Sequence, residues 1–203
     1  LLGQGGGFGF AGPWFPSGFN AFTHDNYDVA AGSLSFPPLA ATGNRVETAA
    51  TEVIAGLGRD LAVPVFADAV TTAYLSFLFR PEGVLGQGAF NGFCGVYLDG
   101  SGDADLFVGK PGSEVVGQYV LESRGGARQV PSGVSPLVGE TVLLVVRADF
   151  RPGPDRFVLY VNPDPCEPEP ATGAVRQATT SRSRSSMAPV LIVPALPMMQ
   201  IGR

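Results

Sequence analysis

The chain is short of charge. Only 15% of its 203 residues are Asp, Glu, Lys or Arg, and the formal net charge is -5, so no basic face is expected to draw in a phosphate backbone. Nucleic acid is therefore not an expected partner. The local exception, Arg182 and Arg184 within TTSRSRSS, reads as a solvated Ser/Arg stretch. Uninterrupted apolar runs are too short for a transmembrane helix. Histidine is represented only by His24, and one imidazole supplies neither the clustered ligands of a zinc site nor, without a neighbouring nucleophile, a catalytic triad. The chain has only two cysteines, Cys94 and Cys166. They fit either one disulfide in an oxidising compartment or two thiols in a reducing one. A bridge would close a loop of roughly 70 residues and, on the chain-entropy account, stabilise by about 4 kcal/mol.

What the chain does have is punctuation. Its 28 glycines and 18 prolines interrupt a sequence that is 45% hydrophobic, leaving short apolar runs bounded by turn formers. Strand-like runs occur at 32–36 (GSLSF), 59–66 (RDLAVPVF) and 73–80 (AYLSFLFR). In the last of these Leu75, Phe77 and Phe79 fall on one face by period-two alternation. FCGVYLD at 93–99, ADLFVGK at 104–110 and EVVGQYVLES at 114–123 follow, separated by DGSGD and KPGS, and read as a meander. TVLLVVRADF at 141–150 and DRFVLYVNP at 155–163 are joined by RPGP and read as an antiparallel hairpin. Between the first two runs, VETAATEVIAG allows at most a short helical turn. The count favours a single all-β domain over 1–203, with two packed antiparallel sheets.

Three regions fall outside that pattern. Residues 1–30 are rich in glycine and aromatics, a composition that suits irregular chain whose rings pack on a sheet or dock on a neighbour. Residues 163–189, rich in Pro, Ser and Arg, read as a long surface excursion. The tail PVLIVPALPMMQIGR carries Pro189, Pro194 and Pro197, which cannot donate ladder hydrogen bonds, so an edge or interrupted strand is expected there.

The succession GSLSFPPLAATGNRV, TTAYLSFLFR, FCGVYLDGSGDADLFVGK, LLVVRADFRPGPDRFVLYVNPDP and QIGR resembles the laminin-G-like jelly-roll domains of bacterial secreted and surface proteins. The likeness runs from about Trp14 to Arg203. It implies a concanavalin A-like lectin/glucanase sandwich, a secreted, periplasmic or cell-surface location, and an adhesive, carbohydrate-binding or architectural role. Where relatives often carry an acidic pair before the terminal RIG-like motif, this chain has Met198, Met199 and Gln200.

Glycoside hydrolysis on such a fold requires paired carboxylates on one strand face. No strand here offers them: Glu114 and Glu122 lie eight residues apart in one run, and Asp99, Asp103, Asp105, Asp155 and Asp164 sit in turn-like sequence. Within DGSGDAD, Asp99, Asp103 and Asp105 are candidate calcium ligands, though the loop lacks the closing Glu of an EF-hand. His24, Asp25, Asn26, Tyr27 and Asp28 of FTHDNYD form a candidate polar contact loop. Trp14 and Phe15 are candidate aromatic anchors for sugar or protein. The expectation is a non-catalytic binding or architectural module of an extracellular or cell-envelope assembly, working through contacts with other protein subunits. The alternative is a lectin-like carbohydrate-binding module, calcium-assisted if the aspartate loop serves it.

Overall fold

Alternation in the long apolar runs decides which side chains meet. The computed structural model describes residues 10–16, 27–48, 56–62, 71–83, 85, 94–99, 106–112, 117–123, 129–152, 154–178, 188–192 and 197–201. The ordered strands are β1 (Phe10–Pro16), β2 (Tyr27–Ala30), β3 (Arg45–Thr48), β4 (Gly56–Leu61), β5 (Thr71–Pro81), β6 (Cys94–Asp99), β7 (Leu106–Lys110), β8 (Val120–Ser123), β9 (Val130–Pro131), β10 (Val142–Phe150), β11 (Asp155–Val161), β12 (Ala174–Ala178), β13 (Ala188–Ile192) and β14 (Pro197–Ile201). No helix occurs among the described residues.

The strands form two seven-stranded sheets, ordered β1-β4-β13-β6-β7-β8-β9 and β12-β11-β10-β5-β14-β3-β2. Every pairing is antiparallel. The fold is therefore the all-β, two-sheet jelly-roll sandwich expected from the sequence.

Period-two side-chain alternation puts Phe77 and Phe79 of β5, Leu144 and Val146 of β10, and Phe157 and Leu159 of β11 on the inner face of the second sheet. They share one buried cluster with Leu57, Val96, Val108 and Leu121 of the first sheet. The Phe79 and Tyr119 rings meet edge to face across the two sheets, 6.1 Å between centroids. Each fully buried apolar side chain of this size contributes about 1.5–3 kcal/mol. The β10–β11 hairpin forms as read, pairing Leu144 with Val161 through Asp149 with Arg156. It ends at Asn162, whose left-handed backbone (φ 51°) returns two bonds to Leu143: its N–H donates to the Leu143 carbonyl at 2.8 Å, and its Oδ1 accepts from the Leu143 N–H at 2.9 Å.

Several expectations need correction. GSLSF is not a strand. Its Leu34, with Phe36 and Ala41, caps the outer face of the second sheet over Leu78, Leu143 and Val145, and Pro37 and Pro38 carry the chain through a turn closed by the Phe36–Leu39 bridge. The N-terminal arm is partly regular, because β1 pairs with β4 as an edge strand. A register shift interrupts it between Ala11 and Phe15, where Gly12 takes φ 65°. The apolar tail is interrupted as expected, but neither piece is an edge. β13 lies between β4 and β6, and β14 between β5 and β3. Proline is tolerated because Pro197 opens its strand and Pro189 precedes the residues paired to β4, which begin at Val190.

The cysteines are not bridged. Cys94 faces the core from β6, whereas Cys166 is exposed in the turn after β11, and both are free thiols.

Candidate functional site

The residues singled out in the sequence do not come together as a site. Trp14 is only 9% exposed, and the Arg59 guanidinium lies over its ring at 5.8 Å and over the Phe10 ring at 5.1 Å. Arg59 Nε also donates to the Gly12 carbonyl at 2.9 Å. This is the packing of an edge strand, with Trp14 as a core residue. Phe15 is 37% exposed and Tyr27, at 3%, belongs to the core. His24, Asp25 and Asn26 lie outside the described residues, as do Asp103 and Asp105; Asp99 ends β6, its backbone paired with Ala188. No group of three or more His, Cys, Asp or Glu close enough to hold a metal occurs among the described residues.

The arrangement that does converge lies on the outer face of the second sheet. On β5 the positions opposite Leu75, Phe77 and Phe79 are Thr72, Tyr74 and Ser76; on β10 they are Arg147 and Asp149; on β11, Arg156 and Tyr160. The register sets Thr72, Asp149 and Arg156 in one cross-strand row and Tyr74 beside Arg147 in the next. One flank is covered by the Leu34–Phe36–Ala41 cap over Leu78 and Val145. The other is covered by the segment 162–173, which lies flat on β11 because Gly173 has no side chain: a Cβ there would sit 2.8 Å from Val158 Cγ1 and 2.9 Å from Tyr160 Cδ1.

Glu169 pins that segment across the sheet. Its carboxylate accepts from Tyr74 Oη at 2.9 Å, from Arg147 Nη1 at 3.0 Å to each oxygen, and from Tyr160 Oη. Arg147 Nε donates to Asp149 at 2.7 Å, and Thr72 Oγ1 at 2.9 Å and Arg156 Nη1 at 3.3 Å also donate to Asp149. Hydrogen bonds from Tyr160 and Arg147 hold Glu169 below the usual carboxylate range. Burial pushes Asp149 up, but the bonds from Arg147 and Thr72 outweigh it and its acidity also ends below the usual value. Burial and the bond to Glu169 push Tyr160 up to about 12, and the same carboxylate raises Tyr74. Neither carboxyl is held protonated at neutral pH, the state that a general acid requires.

Between the two flanks Tyr74 stands 58% exposed although its hydroxyl is bonded. A fixed aromatic face edged by the Thr72 and Ser76 hydroxyls results. Beside it, past Tyr160, an open groove of about 520 Å³ separates Pro131, Ser132 and Val134 from Asn162, Asp164 and Thr172. One signal in the sequence marks this face: Arg147 and Asp149 alternate with Val146 and Ala148 in an otherwise apolar strand.

No family model matches the sequence, and no curated protein matches it. Among solved structures, the chain is similar to the binding domain of botulinum neurotoxin serotype D, at 9% identity and TM-score 0.44, covering 93% of this chain and 45% of that one. It is similar to an endo-1,3-β-glucanase from Streptomyces sioyaensis at 10% identity and TM-score 0.45, covering 97% and 95%. It is also similar to peanut lectin at 9% identity and TM-score 0.44, covering 93% of each. The chain thus spans under half of the neurotoxin domain and nearly all of the other two.

Proposed function

We propose that this chain is a non-catalytic carbohydrate-binding module acting outside the cytosol, with its ligand seated on the outer face of the second sheet at Tyr74. The observation that carries the reading is an exposed tyrosine ring held by Glu169 between two covered flanks and edged by hydroxyls. Sugar rings present C–H faces that pack on aromatic rings and hydroxyls that pair with polar side chains. Among the described residues this face offers one exposed ring, Tyr74, with Tyr160 buried beside it. Asp149 and Glu169 are both held below the usual carboxylate range, so neither is set up as the protonated acid that glycoside cleavage pairs with its ionised partner, which favours binding without cleavage. The test is titration calorimetry of the chain against a panel of polysaccharides. Tyr74→Ala should weaken binding by about tenfold or more, which is about 1.4 kcal/mol, with the circular dichroism spectrum unchanged. A panel with no binder would sink the reading.

A second reading, a protein-contact module of a cell-envelope assembly, draws on Leu137 at 55% and Val138 at 48% exposure in the loop before β10. Neighbouring exposed apolar side chains of this kind are where a partner subunit would seat. Leu137→Asp should then release the chain from its native particle, read by light scattering, while leaving glycan binding intact.

A further inference from the structure

Resting on the glycan reading above, the charge pattern of the same face narrows the ligand class. Four guanidiniums of the second sheet have described side chains, and each is engaged by a carboxylate. Arg45 meets Glu47 at 2.5 Å, Arg80 meets Glu82 at 2.6 Å, Arg147 meets Asp149 and Glu169 at 2.7 and 3.0 Å, and Arg156 meets Asp149 at 3.3 Å. In the hydrogen-bonded network that holds Tyr74, two guanidiniums, Arg147 and Arg156, meet two carboxylates, Asp149 and Glu169, so the charges of the network cancel.

We infer that the glycan taken at Tyr74 is uncharged: a chain of neutral hexoses, not a uronate or sulfated polymer. An anionic sugar that takes the Arg147 Nε or Nη1 hydrogens displaces Asp149 or Glu169 from them, and Glu169 is tied to the tyrosine that forms the platform, so gaining that ion pair loosens the ring. If the pairs stay intact, the incoming anion faces Asp149 and Glu169, and like charges at short range repel. Neutral hydroxyls meet no such opposition. They can donate to carboxylate lone pairs, pair with the Thr72 and Ser76 hydroxyls, and leave the ion pairs in place.

The experiment sets the 203-residue chain against two panels by affinity electrophoresis: neutral polymers (β-1,3-glucan, β-1,4-glucan, mannan, fructan) and acidic ones (polygalacturonate, alginate, a sulfated galactan). Each is run at about 50 and about 500 mM salt, a range over which screening shrinks from roughly 14 to 4 Å. The expected result is a neutral polymer that binds with less than about a twofold change across that range and is lost in Tyr74→Ala. Acidic polymers should not bind in a Tyr74-dependent way. Glu169→Gln, which removes one negative charge from the face, should add salt-sensitive acidic binding. If an acidic polymer binds the unmodified chain, weakens about tenfold or more with salt and is lost in Tyr74→Ala, the neutral-ligand inference falls while the glycan site stands. If neither panel binds, the glycan reading falls and the inference with it.

Discussion

Gly95 of β6 and Gly109 of β7 are register partners, and a methyl group added at Gly95 tests how closely the two strands lie. A Cβ at Gly95 would sit 2.2 Å from the Val108 carbonyl oxygen and 2.7 Å from the Phe107 ring. That ring turns back across the strand pair to lie against Tyr97, 5.0 Å between centroids, and Phe107 and Val108 are both fully buried. The obstruction is backbone, so no rotamer change relieves it: β6 and β7 must part by about 1 Å. Overpacking of this kind costs about 1–3 kcal/mol, and the weakening of one or two ladder hydrogen bonds adds about 1 kcal/mol each. Gly95→Ala is therefore expected to cost about 2–5 kcal/mol. With a urea slope of about 2 kcal/mol per molar, the unfolding midpoint should fall by about 1–2.5 M. Gly109→Ala should do at least as much, because its Cβ would meet the Cys94 carbonyl at 2.2 Å and its φ is +154°. The control is Gly117→Ala, where nothing lies within 4 Å and φ is ordinary; there the loss of chain entropy in the unfolded state should be neutral or stabilise by up to about 1 kcal/mol. If the Gly95→Ala midpoint coincides with that of Gly117→Ala, the close β6–β7 approach is wrong.

Other outcomes follow from the same geometry. Cys166 should react with a disulfide reagent at once and Cys94 only on unfolding, since burial pushes the Cys94 thiol up to about 12; two fast thiols, or none, would refute the free and unequal pair. Asp149 and Glu169 are held below ordinary carboxylate values, so their stabilisation is present above about pH 4 and lost as pH falls through their folded values. Glu169→Gln should flatten that acid limb of melting temperature against pH. Tyr160 works in the other direction: its raised value gives stability that is complete below about pH 10 and lost as pH climbs towards about 12, a limb that Tyr160→Phe should remove. A chain ending at residue 187 lacks β13 and β14, which cuts each sheet between interior neighbours, so it should show no cooperative melt; an unchanged melting temperature would contradict the interior placement of the tail.

How far the fold could be read from the sequence depends on whether a segment's local pattern has one structural solution. TVLLVVRADF, with alternate residues destined for one buried face, and the Pro-Gly reversal after it leave little choice but a hairpin. GSLSF has the same alternation, yet Leu34 and Phe36 bury themselves against the outside of the second sheet instead of inside the sandwich. Apolar alternation registers a need for cover, not which surface supplies it. Proline in the tail left two outcomes open, an edge or an interruption, and the chain takes the interruption. A missing donor forbids an interior position only where both neighbours are paired, and Pro189 stands just before the pairing to β4 begins.

The candidate site was less legible because its parts are brought together only by the sheet. Tyr74 and Glu169 are 95 positions apart and Arg147 and Glu169 are 22 apart, separations that no spacing rule links. DPCEPEPATG has the composition of a solvated excursion, and most of it is exposed. One glutamate and one glycine make it a clasp: Glu169 reaches over Arg147 to Tyr74, and Gly173 lets the chain lie close enough for the reach. The readable trace was the pair of opposite charges at Arg147 and Asp149, two residues apart on one face of a strand whose other face is wholly apolar. Charges on the outer face of a strand are ordinary. A guanidinium there that serves two carboxylates, one on its own strand and one on a distant loop, is a device for holding a loop and an aromatic ring in fixed relation, and that relation is what the proposed ligand surface at Tyr74 would require.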